Sequence, residues 1–321
     1  MFKRCCLPLL LAALFLAACG ESPTELPLEA TKPPIVTEAP VNEQSISLTD
    51  GLARVVVLPT PAERIVSLTP AGTEALFAVG AWEQVVGRDL FSDFPPEAAA
   101  VQDIGGSWGE YNLEAIVSLE PDLVLAGGIN PPELVAALED LGLTTFFLPN
   151  PKTLEEMYAN LATLGTLTGH RAEAVALTTS LAARVTAVDA ALAGIAEKPT
   201  VYYELDATNP SAPYTAGAGT FVDQLITRAG GTNIGSTLAG EWVTISMEQL
   251  LLADPDIILL GDALYGETPD KVAARPGWEA LTAVHNASIF PFDDNLASRP
   301  GPRLVDGLEA LAALLHPEVQ K

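Results

Sequence analysis

The chain has 321 residues, 49% of them hydrophobic, with 41 Asp and Glu against 16 Lys and Arg and a formal net charge of -25. That length gives room for two ordinary domains, each with its own core, and the hydrophobic content excludes a globally disordered chain. The charge argues against binding along a phosphate backbone, which needs clustered Lys and Arg to replace counterions, and reads instead as a solvated acidic surface.

In chain order, Lys3 and Arg4 precede the apolar run LPLLLAALFLAA, which ends in Leu16-Ala17-Ala18-Cys19. The run is too short for a stable transmembrane helix and has the layout of a secretory signal. Its end resembles the lipobox of bacterial lipoproteins, which implies lipidation of Cys19; two acyl chains on one residue suffice for stable anchoring. Residues 1–18 are thus expected to be a signal peptide. Residues 19–44, rich in Pro and Glu with no apolar period, are expected to be a lipid-anchored tether. With Cys5 and Cys6 removed, Cys19 is the sole cysteine left, so no intramolecular disulfide is expected.

SISLTDGLARVVVL, from Ser45, predicts two short strands around Thr49-Asp50-Gly51. A strand over Ile65 to Leu68 follows, then a helix starting near Thr73. PDLVLAGG and TTFFLP give further strands, separated by a helix in PPELVAALEDLG that stops at Gly142. Residues 153–198 contain no strand candidate. Leu181, Val185, Val188, Leu192 and Ile195 mark one face of a long helix beginning near His170, with Gly165 and Gly169 expected to break an earlier helix from it. Strands and helices alternate again from PTVYYELD through PDIILLG to ASIFPF. Such alternation predicts parallel sheets covered by helices. The expected organisation is an α/β lobe over 45–152, a helical connection over 153–198 and a second α/β lobe over 199–321.

The chain also repeats itself. NLEAIVSLEPDLVLAGG, from Asn112, returns as SMEQLLLADPDIILLGD, from Ser246, with Glu114 on Glu248, Pro121 on Pro255, Asp122 on Asp256 and Gly127 on Gly261. Trp108 and Trp242 stand at equal distances before the two glutamates. One long repeat suggests two related lobes rather than a solenoid. TPAGTEALFAVGA and TAGAGTFVDQLITRAGG supply a Gly-containing strand-to-helix loop in each lobe, at the ends of strands where open α/β sheets hold ligands.

Catalytic constellations are missing from the sequence: there is no G-x-x-x-x-G-K-[ST], no G-x-S-x-G and no H-E-x-x-H. His170, His285 and His316 are far apart and read as surface or capping residues, so no metal cofactor is expected. The candidate cleft segments carry aromatics instead: Phe91 and Phe94, Trp108 and Tyr111, Tyr202 and Tyr203, Tyr214, and Trp242. Taken singly each reads as a core residue, but the Trp and Tyr clusters in loops beside Gly or Pro together suggest a ligand surface. Broad faces with a polar tip suit a large amphipathic ligand.

RIVSLTPAGTEALFAVG, FSDFPP, the spacing from Trp108 to Glu114 in WGEYNLEAIVSLEPDLV, and RPGPRLVDGL resemble the substrate-binding lipoproteins of ABC importers for vitamin B12, haem and ferric siderophores. The resemblance runs from about Ser45 to His316 and is strongest to cobalamin binders. It implies two Rossmann-like lobes joined by a long backbone helix, the class III periplasmic-binding-protein type, with a ligand between them and little closure. It also implies ligand contacts from Phe91, Trp108, Tyr214, Trp242, Asn295 and Arg299, and docking of Glu114 and Glu248 on arginines of a dimeric permease. Asn295 stands where cobalamin binders have aspartate. The expected function is extracytoplasmic capture of a corrinoid for an ABC permease, without catalysis or a cofactor of the protein's own. The alternatives are a siderophore or haem binder of the same family, and an α/β enzyme handling metal-tetrapyrroles.

Overall fold

The computed structural model describes residues 45–107 and 109–320. The signal, Cys19, the tether and Trp108 lie outside the described residues. Five strands, in spatial order Gln102–Asp103, Val85–Arg88, Ile65–Ser67, Leu123–Gly127 and Thr145–Leu148, form one parallel sheet. Four others, Thr232–Asn233, Thr200–Glu204, Ile257–Leu260 and Ile289–Pro291, form a second. Parallel neighbours cannot be joined by tight hairpins, and helices such as Pro70–Ala78, Pro132–Asp140 and Phe221–Arg228 lie along the chain between successive strands.

Strand periodicity explains how the two sheets share a core. Ile65, Leu123 and Leu125 pack in the same buried cluster as Val201, Tyr203, Ile257 and Leu259. The alternate residues Val66, Val124 and Ala126 belong to a separate cluster on the far face of the first sheet, and Tyr202, Ile258 and Leu260 to one on the far face of the second. Side chains two apart share a face, so these inner strands feed a central core on one side and their own lobe's core on the other. Truncating a central residue such as Leu125, which has no exposed surface, is worth about 2–5 kcal/mol.

The sequence repeat is a repeated latch. Asn112 caps helix Leu113–Ser118, accepting from the Ala115 N–H at 3.0 Å. Ser246 caps helix Met247–Ala253 in a capping box with Gln249. After each helix the chain turns through a left-handed residue, Glu120 at φ 48° and Asp254 at φ 39°. The next carboxylate then fastens the start of a neighbouring strand: Asp122 accepts from the N–H groups of Glu63 (2.8 Å) and Arg64 (3.1 Å), and Asp256 from the Thr200 N–H (2.8 Å) and hydroxyl (2.6 Å). Pro-Asp therefore recurs because each lobe joins a helix exit to its central strand in the same way.

Two helices, Leu154–Thr168 and Arg171–Leu192, connect the lobes. Gly169 ends the first at φ 81°, as expected, but Gly165 lies inside it. A Cβ there would come within 2.5 Å of the Ala174 Cβ and 2.9 Å of the His170 carbonyl, so this glycine permits close helix crossing rather than a break. Leu181 and Val185 are buried and Val188 and Leu192 half-buried, as the expected face requires, whereas Ile195 falls beyond the helix end. Arg184 ties the long helix to Leu304–Leu315 through Asp306 and Glu309, each at 2.5 Å.

One further expectation is corrected and two open readings are decided. The first-lobe helix begins at Pro70 rather than near Thr73, because the Thr69 hydroxyl accepts from the Gly72 N–H at 3.1 Å. His316 takes the capping reading and not the surface one: it is the C-cap of Leu304–Leu315 and is buried, with Nε2 3.2 Å from the Gly230 carbonyl. Tyr202 and Tyr203 are core residues without exposed surface, packed edge-on against Trp278 and Phe292 at 6.1 Å each.

Candidate functional site

The carboxyl ends of both sheets carry the loops that the sequence marks as a ligand site. In the first lobe, the chain leaving Val85–Arg88 turns at Asp89, whose carboxylate accepts from the Phe91 N–H at 2.9 Å and from the Ser92 hydroxyl. The turn leaves Phe91 54% exposed and Phe94 39% exposed. Burial raises the Asp89 carboxyl above its usual range, against those two hydrogen bonds. Next along the chain, Gly105–Ser107 and Glu110–Tyr111 pair antiparallel. The Tyr111 hydroxyl donates to the Leu68 carbonyl (2.8 Å) and accepts from Asn130 Nδ2 (2.7 Å), locking this strand pair to the sheet. Burial pushes this phenol up to about 12.

In the second lobe Tyr214–Ala216 pairs antiparallel with Trp242–Thr244, and Ala216 faces Trp242 in register. Cross-strand partners share a face, and Tyr214 is two residues from Ala216, so Tyr214 and Trp242 project from the same face of the ribbon. They are 48% and 43% exposed. Trp242 rests against Phe221 with ring centroids 5.5 Å apart.

The expected cleft arginine is already occupied. Arg299 Nη1 donates to Glu74 Oε1 at 3.0 Å and to Asp93 Oδ1 at 2.6 Å, while Arg303 donates to both oxygens of Glu74 at 2.6 and 2.8 Å. The Arg303 guanidinium lies 4.0 Å over the Phe94 ring. Glu74 is 2% exposed and sits on the first-lobe helix, so this cluster clasps one lobe to the other and secures the aromatic loop. Burial of Asp93 is outweighed by the hydrogen bond and charge of Arg299, which hold its carboxyl below the usual range. Asn295 turns inward on its own helix start, its Nδ2 2.9 Å from Asp293 Oδ1.

Sequence reasoning did not single out Glu74. The available signal was one carboxylate inside the apolar stretch TPAGTEALFAVG. Glu114 and Glu248 occupy first helical turns, one in each lobe, are exposed, and pair with no cation among the described residues. Also among the described residues, no group of three or more His, Cys, Asp or Glu is placed to hold a metal ion.

The sequence profile of the periplasmic binding protein family matches residues 65–296. The chain is 28% identical over 318 residues to the ABC transporter substrate-binding lipoprotein YvrC of Bacillus subtilis, covering 98% of this chain and 96% of that one. It is 31% identical over 284 residues to the cobalamin-binding protein of Halobacterium salinarum, covering 86% and 74% of the two chains. The structure matches the periplasmic heme-binding protein RhuT from Roseiflexus sp. RS-1 with a TM-score of 0.71 and 28% identity, over 81% of this chain and 100% of that one. Two α/β lobes, a 22-residue connecting helix and these similarities make the chain a member of the periplasmic binding protein family, a non-catalytic solute-binding component that delivers a small ligand to an ABC permease.

Proposed function

We propose that the ligand is a corrinoid, held between the lobes by Phe91, Trp108, Tyr214 and Trp242. The observation that carries this reading is the clasp: both arginines at the lobe boundary, Arg299 and Arg303, already have carboxylate partners. An anionic haem or ferric catecholate would need free cations to neutralise it, whereas a corrinoid presents a broad apolar face and an amide rim, which aromatic side chains can cover. The 31% identity to a cobalamin-binding protein supports the same choice. Haem is the second reading, supported by the structural likeness to a heme-binding protein.

In this reading lipidated Cys19 and the 19–44 tether hold the two lobes outside the cytoplasm, and Glu114 and Glu248 engage arginines on the two halves of the permease, a geometry suited to bidentate guanidinium–carboxylate pairs. Native mass spectrometry of the purified protein against cyanocobalamin, haem and a set of ferric siderophores tests the ligand. A one-to-one cyanocobalamin complex is expected; preferential retention of haem or a siderophore would overturn the proposal.

A further inference from the structure

The second lobe contains a compartment of about 580 Å³ whose walls are acidic. Asp206 and Thr208 reach it from the loop after Thr200–Glu204, Asp262, Tyr265 and Glu267 from the loop after Ile257–Leu260, and Asp294 from the loop after Ile289–Pro291. These are the carboxyl ends of three adjacent parallel strands, the place where such sheets receive ligands. The Tyr214 ribbon adjoins it, since the Tyr214 N–H donates to the Asp206 carbonyl at 2.7 Å.

One wall group lacks the partner that its burial demands. Asp262 is 5% exposed; Oδ2 accepts from the Ala207 N–H at 3.2 Å, but Oδ1 has no hydrogen-bond partner among the described residues. A buried carboxylate oxygen left so is costly, and a small turn of the Asp262 side chain toward a donor held in the compartment relieves the cost. The nearby cation cannot serve, because Arg275 is taken by Glu204 at 2.6 and 2.8 Å and by Glu267 at 3.0 Å. Asp294 also accepts a hydrogen bond, from the Tyr203 hydroxyl at 2.5 Å. Burial, then the charge of Glu204, push the Asp262 carboxyl up to about 7, the mark of an acceptor short of positive charge or donors.

We infer that this compartment receives the N–H-bearing edge of the transported ligand, and that Asp262 and Asp206 make the protein select neutral or cationic ligands over anionic ones of the same shape. The inference deepens the corrinoid proposal and rests on it for the ligand's skeleton: on a corrinoid, the edge is a side-chain amide. Replacing that amide by a carboxylate exchanges two donors for a negative charge at nearly constant shape.

The test measures affinities of the intact lipoprotein, in detergent, for cyanocobalamin and for each isomeric monocarboxylate made by hydrolysing one side-chain amide. At least one isomer is expected to bind about tenfold or more weakly than the parent, the scale of one lost charge-assisted contact. In the Asp206→Asn/Asp262→Asn variant that isomer should recover to within about threefold of the parent. Asp206→Asn alone, an exposed site, should recover it in part and guards against misfolding of the double variant. Equal binding of every isomer by the unaltered protein, or unchanged discrimination in the variants, would overturn the inference while leaving the corrinoid reading in place. A second pair, a ferric trihydroxamate with a free pendant ammonium and its N-acetylated form, separates the two claims. If cyanocobalamin fails to bind but the ammonium form outcompetes the acetylated one, only the corrinoid reading falls; if neither pair binds, both fall.

Discussion

Glu74 and Arg303 meet at 2.6 and 2.8 Å across the boundary between the lobes, with Arg299 sharing the same carboxylate at 3.0 Å. Replacing Glu74 by Ala leaves Arg303 without its carboxylate partner and Arg299 with Asp93 alone, each guanidinium side chain being about one-seventh exposed. A loss of about 3 kcal/mol in unfolding free energy is expected, at the low end for a broken buried pair because the arginines reach water. Urea denaturation measures it, and a loss below about 1 kcal/mol would mean that the cluster behaves as a surface ion pair.

Glu120 and Asp254 hold equivalent left-handed turns but respond differently to glycine. Glu120→Gly relieves Cβ crowding and should stabilise the fold by about 0.5–1 kcal/mol after the entropy of the unfolded glycine is counted. Asp254→Gly should give no such gain, since the Asp254 carboxylate accepts from the Thr282 N–H at 2.7 Å and hydroxyl at 2.8 Å. Thermal unfolding of the two variants side by side distinguishes them.

Trp242→Ala and Tyr214→Ala should each weaken corrinoid binding by about 1–3 kcal/mol, the range for an aromatic face covered by a ligand. Quenching of tryptophan fluorescence on titration reports the affinity. Unchanged affinity in both variants would remove the ribbon from the site.

Glu114→Lys combined with Glu248→Lys should leave ligand affinity unchanged and abolish complex formation with the permease. Both carboxylates are exposed, and among the described residues neither is in a pair whose loss would disturb the fold. Pull-down with the detergent-solubilised transporter checks docking, and normal docking by the double variant would make both glutamates helix-terminus charges only.

Asp262 gives stability a pH slope. Its carboxyl sits at about 7 when folded and near 4 when unfolded, so between those values the native state binds the extra proton. Stability from this group is therefore full below about pH 4 and falls as pH rises toward 7. Asp262→Asn removes the slope, so its stability relative to the unaltered protein should rise between pH 5 and pH 8. Denaturant midpoints at the two pH values test the sign.

The layers and the order of strands and helices were legible because they follow local periodicity: LVLAG and IILL are apolar at every position, as strands buried on both faces must be. The equality of the lobes was legible from the repeat. The clasp was not, since Glu74 and Arg303 are brought together only by the packing of both lobes, and nothing local distinguishes a carboxylate in a clasp from one on a surface. Tyr202 and Tyr203 were open to both readings for a related reason, as aromatics beside a polar loop look alike whether they line a cleft or fill a core. Gly165 read as a break because its contact, Ala174, belongs to the next helix.

The lobes are held at two separated places, by the connecting helices on one part of the chain and by the Glu74 clasp on another. A receptor so braced has little freedom left to lose when its ligand arrives. Its heat-capacity change on binding should therefore follow the ligand's own covered apolar area, with no added contribution from a closing gap. Bracing also limits accommodation: a rigid aperture cannot reshape itself around a bulkier or differently charged guest.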